Sequence, residues 1–337
     1  INPDQVILPY FEAFVAQYLD VLSVEDAAGL PALFNAGLPD EWFMVDVDGN
    51  RLNEPRYPQN WQLNHTAFAP EHDGRRFEEY VSWYLNQFAM GAGLFNGVHF
   101  DQPEYYPNAL LKENEGDPLP PIDLDRDGAA ETTAELHWAW RDAFETYFDH
   151  MAEALGTHAI RFGNDGYISG AASVLSRLNG WQGEMYSPYF IEPNGDWDTT
   201  GPSDWYRHLD NYTLAMQVVA APQLMSMQWT GKDLGAPTGD LTPNGYPDRL
   251  PTLEARDFRR MRLGLGTTLL SNGFYAYDLV DNTTLPQWFD EYSVDPGGAA
   301  TGDGTATGYL GQPLGAAVEL DYAHTYLIDE GFEDGAP

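Results

Sequence analysis

The chain has 337 residues, 43% hydrophobic and 14% aromatic, enough for one large core or two ordinary ones. Its 52 acidic and 16 basic residues give a net charge of −36, which repels nucleic acid and anionic membrane surfaces. There is no cysteine, which excludes disulfides, thiol catalysis and cysteine-ligated zinc, and no apolar run approaches the length of a membrane span.

The acid is spread along the chain, and only Lys112 and Lys232 are lysines. That balance reads as adaptation to high salt, where screening removes self-repulsion; a secreted acidic protein from an ordinary habitat is the alternative. No signal peptide is visible, and a start at Ile1 reads as a processed or partial chain. The expected location is extracellular or cell-surface. Sequons at Asn64, Asn211 and Asn282 occur at about chance frequency and decide little.

In chain order, strand-like and helical segments alternate. Val6–Phe11 reads as a buried strand, and Glu41–Asn50 as a short strand running into an Asp-Gly turn. Arg75–Met90 has helical spacing, with Phe77, Tyr80, Val81, Tyr84 and Phe88 on one side. A strand through Gly97–Asp101 follows, then a proline- and acid-rich loop over 102–127. Ala134–Leu155 is a long amphipathic helix carrying Leu136, Trp140, Phe144, Phe148 and Met151. The strand HAIRFGND, a short helix at 171–178 and the strand GWQGEMYS come next. Leu209–Ala220 is helical, QLMSMQW is a strand, Leu253–Leu270 is helical, and GFYAYD is a strand. About seven strands and no internal repeat are expected. Such alternation implies an α/β fold with a parallel sheet covered by helices. We expect a TIM (β/α)8-type barrel over 1–280, irregular or lacking a first strand, with a loop-rich extension over 281–337.

Five strands end their apolar runs in polar or aromatic residues: Asp101, Asn164, Glu184, Gln228–Trp229 and Asp278. In a parallel barrel such ends ring one mouth, where active sites sit. A doubly wound sheet also gathers strand ends, but the glycine-rich phosphate turn it usually carries near its first strand is missing from the sequence. Two carboxylates across a mouth suit glycoside hydrolysis, one attacking or orienting water and the other donating a proton. Asp101 and Glu184 are the candidate catalytic pair. Asn164, Tyr186, Gln228, Trp229, Tyr277 and Asp278 are candidate substrate-binding residues. For each carboxylate an ordinary role competes, a cap at Asp101 or an ion pair with Arg161 at Glu184. For each ring the competitor is core packing. His99 shares the strand face of Asp101 and either lines the site or belongs to the core.

The segment IDLDRDGAAETTAE places Asp123, Asp125 and Asp127 before Gly128, as in the first half of an EF-hand-type calcium loop, with Glu131 at the ninth position. The twelfth position is Ala134, so the loop is incomplete. Asp123, Asp125 and Asp127 are candidate Ca2+ ligands; a solvated acidic turn fits the same residues. No organic cofactor is expected.

These segments carry a family resemblance. GLFNGVHFD resembles the strand ending in aspartate of a glycoside-hydrolase-like TIM-barrel family. PDEWFMVDVDGNRL, NGWQGEMYS, GFYAYDL, QWFDEYSVDPGG and GYLGQPLGAA resemble further segments of that family, in order. The pattern is similar in style to the endo-polygalactosaminidases and more remotely to α-amylase-type barrels. The resemblance implies a barrel with an acidic pair at Asp101 and Glu184. By analogy with the α-amylase type, Asp101 is the nucleophile and Glu184 the acid/base. In that type the two lie on consecutive strands, whereas HAIRFGND intervenes here, so roles and stereochemical course stay open. The expected function is a secreted glycoside hydrolase with a polysaccharide or oligosaccharide substrate. The alternative is a catalytically silent barrel that binds carbohydrate or serves as a cell-surface structural protein.

Overall fold

Apolar alternation over short runs makes strands, and the runs read above do so within a few residues of the expected bounds. The computed structural model describes residues 6–12, 15–17, 34–53, 60–101, 119–165, 171–183, 201–230 and 255–278. Its strands are β1 (Tyr10–Glu12), β2 (Val15–Gln17), β3 (Val45–Asp46), β4 (Asn60–Gln62), β5 (Gly97–Asp101), β6 (Ile122–Asp123), β7 (Ile160–Asp165), β8 (Gly180–Gly183), β9 (Leu224–Thr230) and β10 (Phe274–Asp278). Its helices are α1 (Phe77–Phe88), α2 (Thr133–Leu155), α3 (Ala172–Leu175), α4 (Gly201–Val218) and α5 (Ala255–Thr268). The expected extension at 281–337 lies outside the described residues.

Six strands form one sheet in the order β1-β5-β7-β8-β9-β10, and all five pairings are parallel. Helices α2 to α5 fill the four crossovers from β5 to β10. The chain adds each of these strands beside the last, so this order has no switch point of the kind a doubly wound sheet shows. The protein is thus α/β with a parallel sheet. Among the described residues the sheet is open, with β1 and β10 as its edges. Tyr10 and Phe274 on those edges are 60% and 59% exposed. The expected buried strand at Val6–Phe11 is shifted to Tyr10–Glu12 and is an edge strand among the described residues.

Two antiparallel pairs, β2 with β4 and β3 with β6, stand outside the main sheet. Backbone bonds from Met44 N to Gln62 O and from Asn64 N to Trp42 O add to this small assembly. Of these four strands, β3 falls within the segment Glu41–Asn50 read as a strand, whose start is instead a 3-10 turn at Asp40–Trp42.

In a parallel pair, registered residues point to the same face. Register places Phe100, Gly163, Trp181 and Met225 in one row, and Met227 and Tyr275 in the next. These meet the helices. Phe100 lies edge-on to Phe148 and Tyr147 of α2 at 5.4 and 6.0 Å, and Tyr275 donates to Met261 O of α5. Gly163 is required here, since a Cβ would fall 2.7 Å from the Trp181 ring. Helix α2 starts at a capping box: Thr132 Oγ1 accepts from Glu135 N and Glu135 Oε2 accepts from Thr132 N. Its stripe of Trp140, Phe144 and Phe148 recurs every four residues and faces this core. His65 lies edge-on to Trp140 at 4.3 Å, and burial pushes its pKa down to about 3, so it is a neutral core residue.

Candidate active site

The opposite face of the same strands is polar towards their C-terminal ends. Register aligns Glu12, Asp101, Asn164 and Gln182 across β1, β5, β7 and β8. Asn164 is buried, and Asp101 and Gln182 are half-buried. Asn164 Nδ2 donates to Asp101 Oδ1 at 2.7 Å, and the Tyr10 hydroxyl donates to Asp101 Oδ2. Both oxygens of Asp101 are thus held by neutral donors. Among the described residues no arginine or lysine forms a salt bridge with it. Further along the face, Gln182 Nε2 donates to Gln228 Oε1 at 3.0 Å.

His99 lies two residues before Asp101 on the same face, edge-on to the Tyr10 and Phe162 rings at 5.7 and 5.3 Å. Burial lowers its pKa and the nearby Asp101 charge partly offsets this, so the imidazole is neutral at pH 7.

The structure brings together Asp101, Asn164 and Gln228 on this face. Tyr277 is 1% exposed and registered one pleat beyond the helix-facing Tyr275. It packs within the hydrophobic core. Trp229 is registered opposite Tyr277, and Asp278, at the end of β10, opposite Thr230. Glu184 and Tyr186 lie outside the described residues. Arg161, the ion-pair partner considered for Glu184, is registered with Val98 on the helix side, and its guanidinium donates to Arg177 O and Ala159 O. Two site residues were missed in the sequence. Gln182 had a signal, since it alternates with Glu184 along the strand. Tyr10 had none, because its strand pairs with one about ninety residues away.

The acidic loop forms a second cluster. Asp123 is 4% exposed and accepts from Asp127 N and Gly128 N at 3.1 and 2.8 Å. Arg126 and Gly128 take positive φ, +61° and +87°, which bends the turn. Oxygens of Asp123, Asp125 and Glu131 lie within 4.8 Å of one another. Asp127 is not in that trio, and its Oδ1 accepts from Ala129 N at 2.8 Å. Glu131, the third member of the trio, also accepts from Leu124 N. Burial raises the Glu131 pKa, and the charges of Asp123 and Asp125 raise it further. Three converging oxygens suit a hard cation such as Ca2+.

No family model and no curated protein matches the sequence. In structure the chain is similar to a cycloalternan-degrading enzyme from Trueperella pyogenes, with a TM-score of 0.40 and 13% identity. The match covers 84% of this chain and 31% of that one, so the chain spans about a third of that enzyme's length.

Proposed function

We propose that the protein is a secreted glycoside hydrolase acting on a polysaccharide or oligosaccharide, with Asp101 and Glu184 as its carboxylate pair. The observation that carries this reading is the setting of Asp101. It stands at the C-terminal end of a parallel strand flanked on both sides, its oxygens fixed by Asn164 and Tyr10 and its charge not neutralised by a described cation. A structural carboxylate in such a place is ordinarily paired; one kept charged and oriented can stabilise or attack a developing oxocarbenium carbon. In the sequence Glu184 stands two residues after Gln182, the spacing that brings two side chains to one face of a strand. There it gives its proton to the leaving oxygen as the glycosidic C–O bond breaks. If Asp101 bonds to the anomeric carbon, water then displaces it and Glu184 takes back a proton. If water attacks directly, Asp101 accepts the proton of that water.

The stepwise strand order supports a further step: the six-stranded sheet is part of a (β/α) barrel whose mouth these ends line. Gln182 and Gln228 then offer amide groups to sugar hydroxyls. The net charge of −36 supports a high-salt extracellular habitat.

The test is a screen of soluble polysaccharides in molar salt, reading new reducing ends. Release by the wild-type protein, lost in Glu184→Gln, supports the reading. Binding to a polysaccharide without any release points to the silent carbohydrate-binding barrel instead.

A further inference from the structure

A groove of about 390 Å³ lies beside α1. Beneath it lie the buried rings of Trp42 and Tyr80, 1% and 6% exposed, and Trp83 is its exposed ring. Trp42 and Tyr80 meet there with ring centroids 5.5 Å apart, and Trp83 lies 5.8 Å from Tyr80. One wall is the tight turn His72–Arg75, closed by mutual backbone bonds of 2.8 and 3.0 Å. The opposite wall is the backbone at Ala36 and Gly37, tied down by the Tyr80 hydroxyl donating to Phe34 O. Gly37 lies so close to Tyr80 that a Cβ would overlap its ring. Both walls are thus fixed by short-range contacts.

Trp83 is 39% exposed although large and apolar, and Arg75 holds its guanidinium 4.7 Å from the ring centre. The guanidinium fixes the indole and leaves the rest of the ring to solvent. The polar groups at the rim, His72, Asp73 and Arg75, include one cation and one anion, which offset each other. Aromatic rings with a few convergent polar groups, in a volume near the lower end of the usual 300–1,000 Å³ or so, are the make-up of a small-ligand site. The balanced rim offers no net charge to an ionic ligand, and a chain of net charge −36 repels anions. A sugar ring meets both demands, with apolar C–H faces for the indole and hydroxyls for the rim.

We infer that this groove binds a neutral oligosaccharide, holding a glycan chain at a point separate from Asp101. The choice of a glycan rests on the hydrolase reading above. The groove acts as an anchor and takes no part in bond cleavage.

The experiment is native electrophoresis in gels cast with dextran, soluble starch, xylan or galactomannan, comparing wild type, Trp83→Ala, Arg75→Ala and Asp101→Asn, each checked for an unchanged melting point. The expected result is retardation of wild type and Asp101→Asn in the same gel. Trp83→Ala should bind about tenfold more weakly, as loss of an aromatic anchor implies. Arg75→Ala, which frees the indole, should fall between them. Retardation of Trp83→Ala and Arg75→Ala equal to wild type overturns the inference, as does a wild-type protein that no gel retards. If Trp83→Ala loses retardation while wild type hydrolyses nothing, the groove stands and the hydrolase reading falls. If hydrolysis occurs and retardation ignores Trp83, only the groove falls.

Discussion

Asp101 and Asp123 both end strand segments, and the protein holds them in opposite ways. Asp101 meets two neutral side-chain donors, Asn164 and Tyr10, with Glu12 registered opposite it on the neighbouring strand. Asp123 meets backbone N–H groups and, within 4.8 Å, the oxygens of Asp125 and Glu131. The first arrangement keeps one charge in place and available. The second crowds like charges, a situation relieved by a proton or a cation.

The comparison breaks most sharply if Asp101 is given the neighbour that Asp123 has. Asn164→Asp puts a second carboxylate within hydrogen-bond reach of Asp101, and the pair must share a proton at acid pH. The acid limb of the pH–rate profile should move up by about one unit or more, with turnover lost below it. An unchanged profile means that Asn164 does not touch the working carboxylate.

Salt sharpens the contrast between surface charge and site. Between 0.01 and 1 M salt the Debye length falls from about 30 to about 3 Å, so the self-repulsion of 36 excess negative charges fades. The melting point should rise throughout such a series. Asp101→Asn should show the same slope, because one partly buried charge adds little to that sum. A flat series counts against salt adaptation.

The smallest effect belongs to the acidic loop. The raised pKa of Glu131 means that the folded chain holds its proton more tightly than the unfolded chain does. That contribution to stability is present at low pH and lost as pH rises through the raised value, above the ordinary 4.5. Above that window Ca2+ should take the proton's place and raise the melting point by about 2 °C. Glu131→Gln should remove both the pH dependence and the calcium response. A calcium response that survives in Glu131→Gln and vanishes in Asp127→Asn would favour Asp127 over Glu131 as the ligand.

The long elements were legible because their periodicity is strong. The stripe at Leu136, Trp140, Phe144 and Phe148 defines α2, and the capping box at Thr132 and Glu135 sets its start. Strands β5, β7, β9 and β10 carry apolar runs that stop where the strands stop. Which face of a strand is covered was not legible. In Phe274–Asp278 the two tyrosines share one face, and only register with Met227 and Trp229 assigns it to the helices. Tyr10 reaches Asp101 through a pairing set by the whole sheet. In the acidic loop the spacing Asp-x-Asp-x-Asp-Gly points to three ligands; in the structure Asp127 Oδ1 accepts from Ala129 N, while oxygens of Asp123, Asp125 and Glu131 lie within 4.8 Å of one another.

The most direct measurement is turnover and melting point together for Asp101→Asn, on whichever polysaccharide the wild type cleaves. The amide keeps the shape of the side chain and one acceptor, and removes the charge. The account predicts a loss of about a thousandfold or more in kcat, with the melting point nearly unchanged, because the charge acts on the transition state and the fold does not depend on it. Wild-type turnover in Asp101→Asn would contradict it.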